Sequence, residues 1–346
     1  MIATVTALTL SALAAPTTPA GDAAHWYADY DEAVAAAKEQ GKDLLVDFTG
    51  SDWCGWCIKL DEEVFSQESW WKAAQRQYVL VALDFPRGEK AKAMVPDPQR
   101  NVELRDQHGI RGYPTVLLMT PEGDVFGRTG YKKGGPDGYL DHMAALRMES
   151  PPQYGTLEVG STVPAGLTLP DLDGKRHSFG DFRGRVVMIH FWSDRCPYEK
   201  HADPIFAAMD AKYRDSDDVV MIGINANSTE LGEQPGKGAD HAKLYGNLRE
   251  KMAEVGYTHP MLADHGNRVA DIFEAQSTPH CFVLDRNGVI QYAGALDDDP
   301  RGQKGDDATN YAQDAIDAVL KGETPATAST KPYGCSIKRV ATKGGA

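Results

Sequence analysis

An apolar run that breaks off into two cysteines three residues apart, DLLVDFTGSDWCGWC at 43–57, constrains this chain more than any other feature. The run of Leu, Val and Phe reads as a buried strand, and a short loop carries it into residues of helical pattern. Cys54 then opens a helix, where unpaired amide donors and the positive dipole end favour thiolate, the attacking form of sulfur. Cys57 lies one turn deeper and can displace whatever Cys54 captures. A structural disulfide across so small a loop stabilises little, and zinc would want two further ligands nearby that the sequence does not provide. The same setting returns at RVVMIHFWSDRCPYEKH, 185–201, with a single cysteine, Cys196.

Five cysteines, at 54, 57, 196, 281 and 335, cannot all pair internally at once, so at least one is free or exchanges partners. Lys and Arg total 36 against 50 Asp and Glu, a formal charge of -14, which argues against a footprint on nucleic acid or anionic lipid. Small molecules and other proteins are the expected partners, and no cofactor or metal is called for. The opening MIATVTALTLSALAAPTTPAG has an apolar stretch too short to span a bilayer. It resembles a secretory signal with Ala12-Leu13-Ala14 as the cleavage site. Residues 1–24 therefore read as signal and disordered leader, which implies a periplasmic or extracellular protein; a leader that is merely disordered implies a cytoplasmic one.

Strands and helices alternate through 25–147, a linker with two prolines follows at 148–156, and a second alternating block fills 157–322. This order implies mixed α/β sheets covered on both faces. In the second block, 228–259 reads as an inserted loop and helix, and the blocks share one order of elements, an internal duplication of architecture. From 323 to 346 the chain turns Pro/Thr/Ala-rich and basic and reads as a flexible tail carrying Cys335. Trp26, Trp70 and Trp71 read as packing residues.

Two features accompany the dithiol. Asp47 lies inside the apolar strand, where a carboxylate is expensive unless it works, and it could take the proton from Cys57. Pro114 in GYPT, after Tyr113, starts a later strand and suits a cis peptide. Together these residues resemble the thioredoxin superfamily. LLVDFTGSDWCGWCIKLDEEVF, LVALDFP and GYPTVLLMTPEG are similar to bacterial exported thioredoxin-like proteins with a Gly-Ser-Asp-Trp loop before the active site. The resemblance implies two tandem thioredoxin-like domains, each a mixed central sheet flanked by helices. It also implies a thiol–disulfide oxidoreductase acting on protein disulfides and recharged by an upstream reductase. Cys54 would attack, Cys57 resolve, Asp47 manage protons and Pro114 position the partner, with Trp53 and Trp56 beside them; Trp56 replaces the usual proline between the cysteines.

The second block, with CPYEKH, STPHCFVLDRNG and GCSIK, resembles the redoxin family of alkyl hydroperoxide reductase and thiol-specific antioxidant proteins. Aligning the blocks by their strands puts His190 at Asp47, Arg195 at Trp53 and Glu199 at Cys57, so the resolving cysteine is gone. Cys196 can still attack, helped by a helix end, Arg195 and His201, but must find a thiol elsewhere. Cys281 and Cys335 are the candidates, and the resemblance at GCSIK favours Cys335. Ser193 occupies the place of the hydroxyl residue in peroxidase sites, whereas Pro279 is thioredoxin-like and stands where a peroxidase arginine belongs. Electron relay between the blocks is therefore the first reading of Cys196 and a peroxidase of hydroperoxides the second. Lys200 at the fourth position from Cys196 disfavours a copper site, and a chaperone-like second block is a weaker alternative.

Overall fold

The protein is described here by a computed structural model covering residues 24–340 except 237. The expected signal segment lies outside the described residues. Two five-stranded sheets form the framework. In the first, β1 (Trp26–Tyr27), β2 (Asp43–Thr49), β3 (Tyr78–Asp84), β4 (Thr115–Met119) and β5 (Val125–Thr129) lie in the order β1-β3-β2-β4-β5. β1, β3 and β2 are parallel, β4 runs antiparallel to β2, and β5 antiparallel to β4. β2 is buried on both faces, which is why Leu44, Leu45 and Val46 follow one another in it instead of alternating with polar residues.

Helices Tyr30–Gln40 and Pro98–Gln107 cover one face, packing Ala33, Ala37 and Leu104 on Leu44, Val46 and Phe48. Helices Gly55–Leu60, Glu68–Ala74 and Gly135–Glu149 cover the other, with Leu60, Trp70 and Tyr139 against Leu45. Side chains alternate along a strand, so Asp47 shares the face of Leu45, the one roofed by the helix that carries Cys57. Trp70 and Trp71 are core residues, as expected, and Trp26 stacks on Trp70.

The second unit adds a hairpin, β6 (Thr168–Pro170) and β7 (Arg176–Ser178), to a sheet of β8 (Val186–Phe191), β9 (Val219–Asn225), β10 (Met261–Ala263), β12 (His280–Leu284) and β13 (Ile290–Gly294). Its order, β10-β9-β8-β12-β13, has the same pattern of directions as the first sheet. The duplication is imperfect at one edge. β1 precedes the other strands of its unit, whereas β10 enters after the inserted segment of 228–259 and its helix Gly246–Val255.

The expectation of a flexible tail is corrected here. Residues 323–340 run across the second unit, and β14 (Cys335–Ser336) pairs antiparallel with β11 (Ser277–Thr278). Ile337 is buried, Thr330 accepts from the backbone N–H of Ala295 at 2.9 Å, and Tyr333 donates to Asp297 at 2.7 Å. A composition of Pro, Thr and Ala suggests mobility, but these long-range partners satisfy the backbone of the segment and hold it.

The two units meet at Arg147, at the end of helix Gly135–Glu149. Its guanidinium donates to Asp43 at 2.6 Å, Tyr78 at 2.9 Å, Tyr154 at 3.0 Å and the carbonyl of Gly166 at 3.1 Å. Asp43 begins β2, Tyr154 lies in the linker and Gly166 in the second unit, so one buried cation ties three parts of the chain. Removing one member of a buried ion pair leaves the other uncompensated. Arg147→Ala is accordingly expected to cost about 3–5 kcal/mol in urea unfolding, with Asp43→Asn in the same background recovering part of the loss.

Candidate functional site

At the end of β2 the chain turns through 50–53 and enters the helix at Cys54, its N-cap. The Cys57 N–H donates to the Cys54 sulfur at 3.2 Å, and the Cys54 carbonyl accepts from Ile58 at 3.0 Å. The two cysteines are joined as a disulfide, with Cα atoms 5.2 Å apart, and both are nearly buried. After Leu60 the helix continues through a π-helical turn, Asp61–Phe65.

The loop before the dithiol is stitched to the segment after β3. Ser51 donates to Asp84 through its N–H at 2.9 Å and its hydroxyl at 2.5 Å. Asp52 accepts from the N–H groups of Arg87 at 3.0 Å and Gly88 at 2.6 Å, bonds that hold its carboxyl below the usual range. Trp53 donates to the Phe85 carbonyl at 2.8 Å, and the Arg87 guanidinium lies 3.9 Å from its ring centre. Gly50 is required by this packing, since a Cβ there would stand 2.7 Å from the Trp53 ring. Asp84, Phe85 and Arg87 are absent from the sequence-based set; the only signal was the polar break after the strand in LDFPRG. On the outer side Trp56 is 58% exposed and packs on Tyr131 at 5.0 Å, with the Lys59 ammonium 5.5 Å from its ring. Tyr113 meets Trp53 edge-on at 5.8 Å, and the Tyr113–Pro114 bond is cis.

Asp47 is buried, and its Oδ1 has no hydrogen-bond partner. Burial, then the charges of Asp61 and Asp84, push its carboxyl up to about 8. It is therefore a neutral acid at pH 7, able to exchange a proton near physiological pH.

Cys196 is placed differently. The sequence suggests that Cys196 and Pro197 open a helix, but residues 196–198 form a turn and the helix begins at Glu199 (Glu199–Tyr213). Pro197 contributes no N–H, and the Cys196 thiol instead donates to the Thr278 carbonyl at 2.8 Å. Thr278–Pro279 is the second cis bond. Across β11 from Thr278 lies Cys335; burial and then its interaction with Cys196 push its thiol up to about 11. Cys281 belongs to the core, opposite His190 in the sheet register, as Val116 is opposite Asp47.

Ser193 and Arg195 turn elsewhere. The Ser193 hydroxyl donates to Glu230 at 2.5 Å, and Glu230 also accepts from Asn225 at 2.6 Å. The Arg195 side chain is 58% exposed, with Asp194 as its ion-pair partner at 3.8 Å. His201 bonds Asp297 at 2.8 Å, the carboxylate that also receives Tyr333, and so it supports the C-terminal segment. Behind Cys196, His190 contacts Glu199 at 3.2 Å and stacks on Phe206 at 3.6 Å. Burial, followed by the charges of Asp203 and Cys196, raises the Glu199 carboxyl, and burial lowers His190, so the pair is neutral.

A closed dithiol at a helix start, beside a cis-proline and over a buried neutral acid, is the geometry of a thiol–disulfide oxidoreductase of thioredoxin fold. Residues 25–121 match the thioredoxin-like family, and residues 159–293 match the AhpC/TSA family. The disulfide bond reductase DsbH of Chlamydia pneumoniae is 33% identical over 122 residues, 34% of this chain and 71% of that protein. The thiol-disulfide oxidoreductase ResA of Geobacillus thermodenitrificans is 27% identical over 141 residues, covering 38% and 67%. Chloroplastic peroxiredoxin Q of Oryza sativa subsp. japonica is 29% identical over 145 residues, covering 40% and 59%. The chain belongs to the thioredoxin superfamily, with a thioredoxin-like unit followed by an AhpC/TSA redoxin unit, and it is an enzyme of the thiol–disulfide oxidoreductase class.

The Asp47 shift fixes a pH dependence. A carboxyl raised from 3.8 to about 8 on folding holds its proton more tightly in the native state, so the stability it contributes is full below the unfolded value and is lost as pH rises through about 8. Asp47→Asn is expected to match wild type in urea unfolding near pH 4 and exceed it near pH 9.

Proposed function

We propose that the first unit reduces or exchanges protein disulfides through Cys54 and Cys57. The Cys54 thiolate attacks one sulfur of a partner disulfide, forming a mixed disulfide and expelling the other partner sulfur as thiolate. Cys57 then gives its proton to Asp47, in the fraction of molecules where that carboxyl is ionised near neutral pH, and attacks the Cys54 sulfur. The second partner thiolate leaves, and the Cys54–Cys57 disulfide closes. An external dithiol reductase returns two electrons to the pair. The observation that carries this reading is the N–H of Cys57 directed at the sulfur of Cys54, because a donor at that atom stabilises the attacking thiolate and the leaving thiolate alike. Exposed Trp56 and the open backbone beside Pro114 give a partner polypeptide a surface to rest on.

Cys196 and Cys335 form a second centre in this reading, which the first unit reduces by exchange. A hydroperoxide is the second candidate oxidant for it. Cys196 would take one peroxide oxygen as sulfenic acid with release of an alcohol or water, and Cys335 would condense with it, releasing water. The adjacency of the two thiols favours that condensation. Export, as the N-terminal segment suggests, would place both centres among the disulfides of secreted proteins.

Insulin reduction with a dithiol donor is expected to fall to the uncatalysed rate in Cys54→Ser and to persist in Cys196→Ser. Cys57→Ser should accumulate mixed disulfides, and Asp47→Asn should slow their resolution by about 100-fold. Peroxide consumption that requires both Cys196 and Cys335 would establish the second activity, and its absence in the intact chain rejects it.

A further inference from the structure

The backbone of β11, just ahead of Pro279, is paired with the protein's own C-terminal strand. Ser277 and Thr278 pair with Ser336 and Cys335, the Ser277 hydroxyl donates to the Tyr333 carbonyl at 3.2 Å, and the Ile337 N–H donates to the Gln276 carbonyl at 3.1 Å. Two glycines make room for it. Gly334 has φ of 130°, and a Cβ there would stand 2.1 Å from the Thr278 carbonyl oxygen; a Cβ on Gly294 would stand 2.2 Å from Thr330 Oγ1. Past the strand, Lys338 donates from its N–H to Asn227 at 2.9 Å, and Arg339 bonds Asp271 at 2.8 Å.

Among the described residues no strand pairs with the equivalent segment of the first unit. β4 and β12 pair with β2 and β8 in the same register, and each follows a cis X–Pro bond, so Gly112 and Tyr113 are the counterparts of Ser277 and Thr278. Ser277 and Thr278 are buried, whereas Gly112 is exposed and a Cβ on it would meet nothing within 4 Å. An extended polypeptide that adds to such a segment gains main-chain hydrogen bonds and presents alternate side chains to it. The C-terminal strand does this in cis and sets Cys335 against Cys196.

We propose that the C-terminal strand is a built-in partner strand: it occupies the docking backbone at Cys196, so that this centre exchanges with Cys335 and with small molecules but is closed to polypeptide disulfides, which are left to the equivalent segment beside Cys54. The inference rests on the redox reading of Cys196, yet it concerns access alone and is tested by access. In a Cys54→Ser, Cys57→Ser, Cys335→Ser chain, which keeps the backbone pairing, Cys196 is the thiol to be followed. Its rate of reaction is measured with iodoacetamide and with a cysteinyl decapeptide activated as a mixed disulfide, each located by peptide mass mapping and divided by the rate of free glutathione. The normalised peptide rate is expected to be about tenfold or more below the normalised iodoacetamide rate, a protection set by local opening of the strand. Adding Gly334→Val, or ending the chain after Thr330, is expected to bring the two rates together. Equal normalised rates in the chain with the strand intact overturn the proposal, whether or not either further variant folds. A difference that survives displacement of the strand in a folded variant also overturns it. A Cys196 that shows this discrimination but never cycles with Cys335 under oxidants would instead defeat the redox reading and leave the access inference standing.

Discussion

One contact, the amide hydrogen of Cys57 aimed at the sulfur of Cys54, depends on almost everything around it. It exists only if the helix begins at Cys54, and the helix begins there because β2 delivers the chain to that point and the loop 50–53 is pinned. Asp84, Phe85, Arg87 and Gly88 supply the pins through Ser51, Trp53 and Asp52. The sulfur itself is thus positioned by backbone donors, which cost little to organise once the strand and the loop are in place. Thiolate chemistry at this site is a property of where a strand stops and a helix starts.

The second unit keeps the sheet and changes the chemistry. Where the first unit has a buried acid on the strand and a thiol on the helix, the second has His190 on the strand and Glu199 on the helix. The missing thiol has moved to a separate strand at the end of the chain. Cys196 sits in a turn ahead of its helix, with its S–H donated to a carbonyl, so the donor that the dithiol receives from its own helix is replaced by an acceptor. The two sites therefore differ in readiness to attack although they share a fold.

Charge burial supports the same contrast. Asp47 lies under the dithiol helix with one oxygen unpaired, an arrangement that disfavours ionisation and keeps a proton available near neutrality. Arg147 and Asp43, by contrast, are paired and hydrogen-bonded at the junction of the units, so that junction is structural. One buried acid is poised to titrate and the other is neutralised by its partner.

Much of the first site was legible in the residues because its geometry is local. An apolar strand, a short loop and a cysteine pair spaced by one helical turn specify their own arrangement, and Pro114 and the buried Asp47 stand out against apolar neighbours. The packing of Trp70 and Trp71 followed from composition in the same way. What the chain could not announce was long-range: which of Cys281 and Cys335 faces Cys196, that Ser193 turns to Glu230 and Arg195 to solvent, and that residues 84–88 clamp the active loop. Those choices depend on where separate segments meet, and a sequence pattern carries periodicity and spacing but not the register of strands far apart in the chain. The polar, proline-containing C-terminal segment is the clearest case. Its composition reads as a mobile tail, and only the backbone at Thr278, placed by tertiary folding, makes it a strand.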